Sequence, residues 1–345
     1  MSNSDAAAMQ PLPPEAMIMQ FATGAFVAQA LWCAAALAIA DHLADGPRSA
    51  DALAADTDTD ANSLYRMLRA LASVGVFTEV GTRNFANTPI SETLLTDSPM
   101  SQKAMVLMIA DPEHGKVVNN MLHSVRTGKP AWEHVHGVPV FEYFYEKNKA
   151  SGEIFNQAMT AFSRQTIPAI LANYDFSGAG TIADIAGGVG HLLGAVLQKY
   201  PDARGVLFEI PPVLANAPSM LDSYGVSDRV ELVAGDFVES IPVEADIYML
   251  KHIIHDWYDD KNQKILGNIR ESMPDNARVL IIDAVIPPGN DPHPGKILDL
   301  EMLISPGGME RTADEFESLL KNSGFQMTRI IPTPSPVGIV EAVKA

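Results

Sequence analysis

Thr181-Ile-Ala-Asp-Ile-Ala-Gly-Gly-Val-Gly-His191 is the stretch that decides the fold of this 345-residue chain. A short apolar run ends in three glycines, and the apolar residues 192–197 follow at helical length. Glycine at such a turn lets a ligand approach the backbone, and the helix that follows favours negative charge at its N-terminus. The stretch therefore predicts a strand, a ligand-binding turn and a helix, with a purely structural turn as the alternative.

The glycines of this turn separate two classes of nucleotide-binding protein. Gly188, Gly190 and Gly194 have the spacing G-x-G-x-x-x-G, whereas dinucleotide-binding dehydrogenases have G-x-G-x-x-G. A nicotinamide-dependent dehydrogenase is therefore the least favoured enzymatic hypothesis.

Further short apolar runs follow the glycine turn, and helical stretches separate them. This alternation is typical of βαβ units and predicts an α/β fold with a parallel sheet. Two late runs, with three prolines between them, are predicted to close the sheet as an antiparallel pair. The predicted strands are 181–186, 205–209, 230–233, 246–250, 279–284, 326–331 and 338–343.

Acidic residues stand at the ends of the first three predicted strands. Asp184 lies in the first strand, Glu209 ends the second 19 residues after Gly190, and Asp236 follows the third. Ligands of open α/β sheets bind at the carboxyl ends of the strands, and an acid at this spacing binds ribose hydroxyls. Each acid alone has the alternative of a solvated cap, but three at one edge predict a binding site.

The fourth strand runs directly into Leu250-Lys-His-Ile-Ile-His-Asp-Trp257, so His255 is expected at the same edge. An imidazole can accept a proton near neutral pH, and carboxylates beside it stabilise its protonated form. Asp283 at the end of the fifth strand and Glu310 before a later helix are the candidate partners. Asp256 is interpreted as a helix cap, with a contribution to His255 as the alternative. No H-E-x-x-H motif surrounds the two histidines, so no metal is expected.

The amino-terminal part has a different pattern. Residues 1–14 are expected to be a loose tail, and the uncharged stretch 16–40 is long enough to cross a membrane. Its polar interruptions favour helices buried in a protein interface instead. Two further helices and a hairpin follow, which is the order of a winged-helix unit, and residues 101–175 are expected to be mainly helical.

The composition limits the partners. Lys and Arg number 24 against 42 Asp and Glu, so the net charge of −18 makes nucleic acid an unlikely partner. Residues 1–100 hold 4 basic and 11 acidic residues, or 4 − 11 = −7, which disfavours a winged-helix regulator. The single cysteine, Cys33, excludes an internal disulfide and fits a cytoplasmic protein.

Together these motifs resemble the S-adenosylmethionine-dependent small-molecule O-methyltransferases, which include plant caffeate and acetylserotonin enzymes and bacterial natural-product tailoring enzymes. The resemblance covers nearly the whole chain in order. It is carried by Asp184-Ile-Ala-Gly-Gly-Val-Gly190, Phe208-Glu-Ile-Pro211, Gly235-Asp-Phe237, Leu250-Lys-x-Ile-Ile-His-Asp-Trp257 and Gly307-Gly-x-Glu-Arg-Thr312.

The resemblance implies a fold, a cofactor and a set of site residues. The fold is a winged-helix-like dimerisation domain (1–100), a helical linker (101–175) and a Rossmann-like class I methyltransferase domain (176–345). The partners are S-adenosyl-L-methionine, a small aromatic acceptor and a second copy of the chain, without nucleic acid or membrane. The implied cofactor-binding residues are Ser163, Asp184, Gly187, Gly188, Gly190, Glu209, Asp236, Phe237 and Lys251. The implied acceptor-binding residues are Met108, Phe155, Met159, Phe162 and Met302, with ordinary core packing as the alternative for each.

By the same resemblance His255 is the general base, and Asp283 and Glu310 flank it. Two positions depart from the family pattern. Ala186 stands where many members have a third glycine, and Asp283 is one methylene shorter than the Glu of plant members. The reach of Asp283 towards His255 therefore stays open, as do attack by nitrogen instead of oxygen and a non-methylating reaction on the same fold.

Overall fold

A computed structural model describes residues 12–345 of the chain, so the predicted amino-terminal tail lies almost wholly outside the described residues. The chain divides into two compact units, one ending at Pro112 and the other covering Glu113–Ala345. The three-part division at residues 100 and 175 stays a prediction.

The first unit combines helices with a small sheet. Its helices α1–α5 are Pro14–Ala36, Ile39–His42, Ala50–Asp56, Ala61–Ser73 and Lys103–Ile109, and its strands β1–β3 are Arg48–Ser49, Phe77–Gly81 and Asn84–Asn87. Helix α4 begins where the sequence predicts, because the Asp60 carboxylate accepts a hydrogen bond from the Ser63 backbone N–H at 2.8 Å. The predicted hairpin is confirmed, and β1 adds an unpredicted third strand in the order β1-β3-β2.

Helix α1 is the uncharged stretch of the sequence. It is long and apolar enough to cross a membrane by length and composition, and its most apolar stretch is not buried within the chain. Phe21 and Phe26 are 70% and 77% exposed. Large apolar side chains exposed in this number on one helix indicate an interaction surface.

The second unit begins with helices and ends with the large sheet. Its helices α6–α16, the first of which starts at the boundary, are Pro112–Val118, Met121–Thr127, Ala131–His136, Val140–Glu142, Lys149–Asn173, His191–Lys199, Pro211–Leu214, Ala217–Tyr224, Asp259–Ser272, Gly295–Ile304 and Ala313–Asn322. Its strands β4–β10 are Thr181–Ile185, Arg204–Glu209, Val230–Ala234, Ile247–Lys251, Arg278–Asp283, Phe325–Pro332 and Gly338–Lys344.

All seven predicted strands are confirmed and form one sheet in the order β6-β5-β4-β7-β8-β10-β9. The first five strands pair in parallel, and β10 pairs antiparallel with β8 and β9. Successive residues of each central strand point to opposite faces, so Leu207 and Phe208 belong to different core clusters. Helices cover both faces, which explains why the strands are apolar throughout.

The strand order determines where a ligand can bind. The chain runs outward from β4 through β5 to β6 and then returns to β7 on the other side of β4. The order therefore reverses between β4 and β7, and the crevice at their carboxyl ends is the binding position of such sheets. The glycine turn after β4 and the His252–His255 segment after β7 meet at this crevice.

Candidate active site

The turn after β4 favours glycine for two reasons, close contact at one position and positive φ at two others. A Cβ added at Gly187 would overlap with the buried Asp184 side chain, and Gly188 and Gly190 have φ of +61° and +84°. Ala186, which departs from the family pattern, also has a positive φ of 54°. This left-handed conformation costs an alanine about 1–2 kcal/mol, whereas glycine adopts it without strain. The turn nevertheless has the left-handed conformation at Ala186.

Glu209 at the end of β5 is tied to the glycine turn. Its carboxylate accepts hydrogen bonds from the backbone N–H groups of Gly188 at 2.9 Å and Ile210 at 2.8 Å. Burial raises the pKa of Glu209, and these two hydrogen bonds act against that rise. The Gly235 N–H donates to the Glu209 carbonyl oxygen at 3.1 Å, which brings Asp236 beside Glu209.

Three polar side chains meet behind the glycine turn. The Lys251 ammonium group donates to the Ser163 hydroxyl at 3.0 Å, which links β7 to helix α10. Burial raises the pKa of Asp184 to about 7, although the charge of Lys251 lowers it. One Asp184 oxygen, Oδ2, is buried without a hydrogen-bond partner among the described residues. An unpaired buried carboxylate oxygen is costly, so this site fits a ligand that donates hydrogen bonds.

His255 and Glu310 form a buried pair. The distance between His255 Nδ1 and Glu310 Oε1 is 2.7 Å, and Asp256 Oδ1 lies 3.5 Å from His255 Nε2. Burial lowers the pKa of the imidazole, but the charges of Asp283, Asp256 and Glu310 outweigh burial and raise it to about 10. The imidazole is therefore protonated near neutral pH in the absence of ligands.

Asp256 does not have the predicted capping role. The N-cap residue of helix α14 is Tyr258, and the Asp256 carboxylate faces His255 instead. Burial raises the pKa of Asp256 to about 7, and the charge of His255 lowers it. The sequence adjacency of Asp256 and His255 was the one signal for this contact.

A glycine and an arginine bring Glu310 to His255. A Cβ added at Gly308 would overlap with the His255 carbonyl oxygen, so only glycine permits this approach, and the next residue, Met309, donates its N–H to that oxygen at 2.9 Å. The buried Arg311 guanidinium donates to the carbonyl oxygens of Ile254 and Trp257, both at 3.1 Å. These contacts hold the short 3-10 turn that carries His255.

Asp283 acts on His255 through its charge and is held elsewhere. Its Oδ1 accepts a hydrogen bond from the backbone N–H of His252 at 2.8 Å, and burial raises its pKa to about 6. Its Oδ2 has no partner among the described residues. One ligand atom from each of His252, His255 and Asp283 lies within 4.8 Å of the others, and the expectation of no metal stays a prediction.

The apolar residues implied for the acceptor pocket occupy several elements. Phe155, Met159 and Phe162 lie on helix α10, where the Phe162 ring is 4.9 Å from that of His252 and Phe155 stacks on Phe144 at 5.0 Å. Met302 is buried on α15. Met108 lies half-buried on α5 of the other unit, so its place in the pocket stays a prediction.

Two aromatic residues near the site were not identified from the sequence. Burial raises the pKa of Tyr145 to about 12, and the charges of Glu209 and Asp256 act in the same direction. Its phenol therefore stays protonated near both acids. The second aromatic residue is Trp257. The Lys261 ammonium group lies 3.3 Å from the centroid of the Trp257 ring, and the centroids of the Phe237 and Trp257 rings are 6.2 Å apart. No periodicity distinguishes these residues from the core.

Comparison with known protein families agrees with this geometry. Residues 119–326 match the O-methyltransferase domain, and residues 19–97 match the O-methyltransferase dimerisation domain. The chain belongs to the O-methyltransferase family. It is a methyltransferase that uses S-adenosylmethionine, and the dimerisation domain supports a homodimer.

Named relatives differ in the atom that they methylate. A phenazine O-methyltransferase of Lysobacter antibioticus is 40% identical over 331 residues, which cover 96% of each chain. An 8-amino-8-demethylriboflavin N,N-dimethyltransferase of Streptomyces davaonensis is 35% identical and covers 91% of each chain. The family relationship therefore leaves the acceptor atom of this methyltransferase open.

Solved structures of relatives include a ternary complex. An O-methyltransferase from neocarzinostatin biosynthesis, bound to S-adenosylmethionine and 2-hydroxy-5-methyl naphthoic acid, superposes with a TM-score of 0.81. It is 30% identical, and the alignment covers 93% of this chain and 96% of that one. The class I methyltransferase fold and the use of S-adenosylmethionine predicted from the sequence are confirmed.

Proposed function

We propose that this methyltransferase transfers a methyl group to the hydroxyl of a small aromatic acceptor and that His255 accepts the proton of that hydroxyl. The buried hydrogen bond between His255 Nδ1 and Glu310 Oε1, 2.7 Å long, carries the proposal. Nε2, which lies 3.5 Å from Asp256 Oδ1, is the ring nitrogen that remains for the acceptor hydroxyl in this proposal. Nε2 would accept the hydroxyl proton, and bound S-adenosylmethionine would supply the methyl group and leave as S-adenosylhomocysteine.

The cofactor is held by the turn and the strand ends in this proposal. Bound S-adenosylmethionine supplies an activated methyl group on a sulfonium. The glycine turn and Asp184 bind its methionine part, and Glu209 accepts from the ribose hydroxyls with lone pairs that its two backbone partners leave free. Asp236 and Phe237 border the adenine, and Lys251 with Ser163 completes the wall beside the turn.

The raised pKa of His255 sets the pH dependence. A pKa of about 10 leaves about one imidazole in a thousand neutral at pH 7. That pKa is close to the usual value of a phenol, about 10, so the neutral imidazole is a strong enough base to accept a phenolic proton. Turnover of a phenol is therefore expected to rise about tenfold for each pH unit above neutrality, until one of the two groups has ionised.

Replacement of the imidazole tests this role. His255→Ala is expected to bind S-adenosylhomocysteine as tightly as the wild type and to lose about 10²–10⁴-fold in methyl transfer to 2-naphthol, which is the usual contribution of a general base. S-adenosylhomocysteine formation measures the loss, and calorimetry measures the binding. Unchanged turnover would remove His255 from this role.

Nitrogen acceptors are the second candidate, because a relative 35% identical to this chain is an N,N-dimethyltransferase. A neutral amine has a free lone pair before it loses a proton, so the transfer needs no base at the moment of attack. His255→Ala would then keep most activity towards 2-naphthylamine.

A winged-helix regulator, which the acidic first unit disfavours, would instead shift promoter DNA in a gel assay.

The dimer is proposed to use the exposed apolar face of helix α1. Residues 19–97 match a dimerisation domain, and α1 carries Phe21 and Phe26 almost uncovered. A second copy of the chain is proposed to cover this helix. The enzyme is also proposed to be cytoplasmic. Sedimentation of Phe26→Asp as a monomer would support this interface, and an unchanged dimer would contradict it.

A further inference from the structure

His252 follows β7 directly, and the proposed function assigns its imidazole no role. Its side chain is only 9% exposed, and both ring nitrogens are buried without hydrogen-bond partners among residues 12–345. An unsatisfied buried polar group costs about 1–3 kcal/mol. A fold that keeps two such atoms on one ring is expected to pair them with a ligand.

The ring of His252 faces the acceptor side of the crevice. It lies 4.9 Å from the Phe162 ring and 5.0 Å from the His255 ring, measured between centroids. The backbone holds it there, because His252 has a φ of +56° and its N–H donates to Asp283. Histidine is among the residues that tolerate this left-handed conformation best.

The unpaired atoms around His252 exceed what a single hydroxyl can satisfy. His252 presents two nitrogens, of which Nδ1 lies 3.7 Å from Asp283 Oδ1, and the other oxygen of that carboxylate, Oδ2, is also buried without a partner among the described residues. A hydroxyl has one proton and two lone pairs. The reacting hydroxyl gives its proton to His255, so the atoms that accept hydrogen bonds near His252 need a second donor.

Electrostatics selects the kind of second group. Burial and the charges of Lys251 and His255 hold the pKa of His252 well below its usual range, so the ring is neutral. A neutral imidazole has one donor and one acceptor. The acidic side chains of Asp256, Asp283 and Glu310 surround His255 and disfavour an anionic group such as a carboxylate. A neutral hydroxyl fits both conditions.

We propose that His252 determines acceptor specificity by hydrogen bonding to a second hydroxyl on the ring carbon next to the one that is methylated. This inference rests on the proposed function, because it places the methylated hydroxyl at His255. The nitrogens of His252 and His255 that approach each other lie within 4.8 Å, a separation that two neighbouring hydroxyls can bridge. The acceptor class is therefore an aromatic 1,2-diol.

A matched pair of acceptors tests the proposal. In the wild type, 2,3-dihydroxynaphthalene is expected to exceed 2-naphthol in kcat/KM by about tenfold or more, since one or two hydrogen bonds to a buried group are at stake. In His252→Gly, which accepts the positive φ, the preference falls to about twofold or less. His252→Asn, which keeps both the backbone conformation and hydrogen-bonding groups, retains part of it. His123→Asn, at a half-buried histidine on helix α7 of the same unit that stacks on His134, retains all of it.

A second measurement works without turnover. Calorimetry on the cofactor-free enzyme is expected to show the same preference for the diol, and the ring nitrogen resonances of His252 move with the diol and not with 2-naphthol. An equal preference in the wild type and His252→Gly, or none in the wild type, overturns the proposal. A shift of these resonances by micromolar Zn²⁺ alone would assign the ring to a metal and also overturn it.

The outcomes separate this inference from the proposed function. If 2-naphthol yields S-adenosylhomocysteine and the diol has no advantage, the methyltransferase activity on phenols stands and the role of His252 fails. If only aromatic amines are methylated, the proposed function fails. Calorimetry with the two naphthols then still decides whether His252 binds a neighbouring hydroxyl.

Discussion

Neutralising Glu310 should separate the charge of the His255–Glu310 pair from its geometry. Glu310→Gln keeps an oxygen that can accept from His255 Nδ1, which lies 2.7 Å from Glu310 Oε1, and removes the negative charge. Both side chains are at most 8% exposed, so solvent screens their interaction little. A buried hydrogen bond to a charged group contributes about 1.5–3 kcal/mol, and each 1.36 kcal/mol changes a pKa by one. The pKa of His255 is therefore expected to fall from about 10 to about 8–9.

The loss should depend on pH in a specific way. Below about pH 8 the free enzyme already carries the imidazolium, so Glu310 stabilises the free enzyme and the transition state alike, and kcat/KM should barely change. At higher pH the wild type starts from neutral imidazole and forms the imidazolium only during the reaction. The variant should then reach its plateau near pH 8–9 and lie about 10- to 150-fold below the maximum of the wild type.

The assay is S-adenosylhomocysteine formation from 2-naphthol, measured as kcat/KM between about pH 6 and about pH 10. The chain supplies a control, because a buried histidine, His114, forms a comparable pair through Nε2 with Oε2 of the half-buried Glu301 at 2.8 Å. Glu301→Gln should lower stability and leave the shape of the profile unchanged. A Glu310→Gln profile that keeps rising to pH 10, or that is reduced equally at every pH, would refute the electrostatic role of Glu310.

Three further substitutions test the surroundings of the site. Gly308→Ala should lower the unfolding free energy, measured by thermal unfolding, by about 3 kcal/mol and kcat by tenfold or more, because the new methyl group displaces the His255 carbonyl oxygen. The control Gly267→Ala, in open space on helix α14, should instead raise the unfolding free energy by about 0.5–1 kcal/mol. Lysine in Arg311→Lys cannot donate to both carbonyl oxygens as the guanidinium does, so kcat should fall about tenfold or more while the affinity for S-adenosylhomocysteine, measured by calorimetry, stays constant. A fall in both kcat and affinity would indicate general unfolding. Glu209→Ala should weaken S-adenosylhomocysteine binding by about 10- to 150-fold, and unchanged binding would contradict the ribose assignment.

Local sequence determined the elements of the large sheet to within one or two residues. Apolar runs of strand length and glycine at their ends are short-range features, so β4–β10 and the N-cap at Asp60 could be predicted. The acids of Asp184, Glu209 and Asp236 could be placed at one edge, because parallel strands end on the same side. The family motifs then named the cofactor.

Tertiary structure alone decided which of these groups touch. Asp283 accepts a hydrogen bond from the backbone N–H of His252, and Asp256 faces His255 instead of capping α14. Arg311 donates to the carbonyl oxygen of Ile254 in the turn that carries His255. Each contact joins segments whose spacing depends on strand order and helix packing, which no local periodicity encodes. The lack of hydrogen-bond partners at the His252 ring nitrogens among the described residues could not be predicted from the sequence either. Only the folded chain determines which buried polar atoms are paired within the protein and which are available to a ligand.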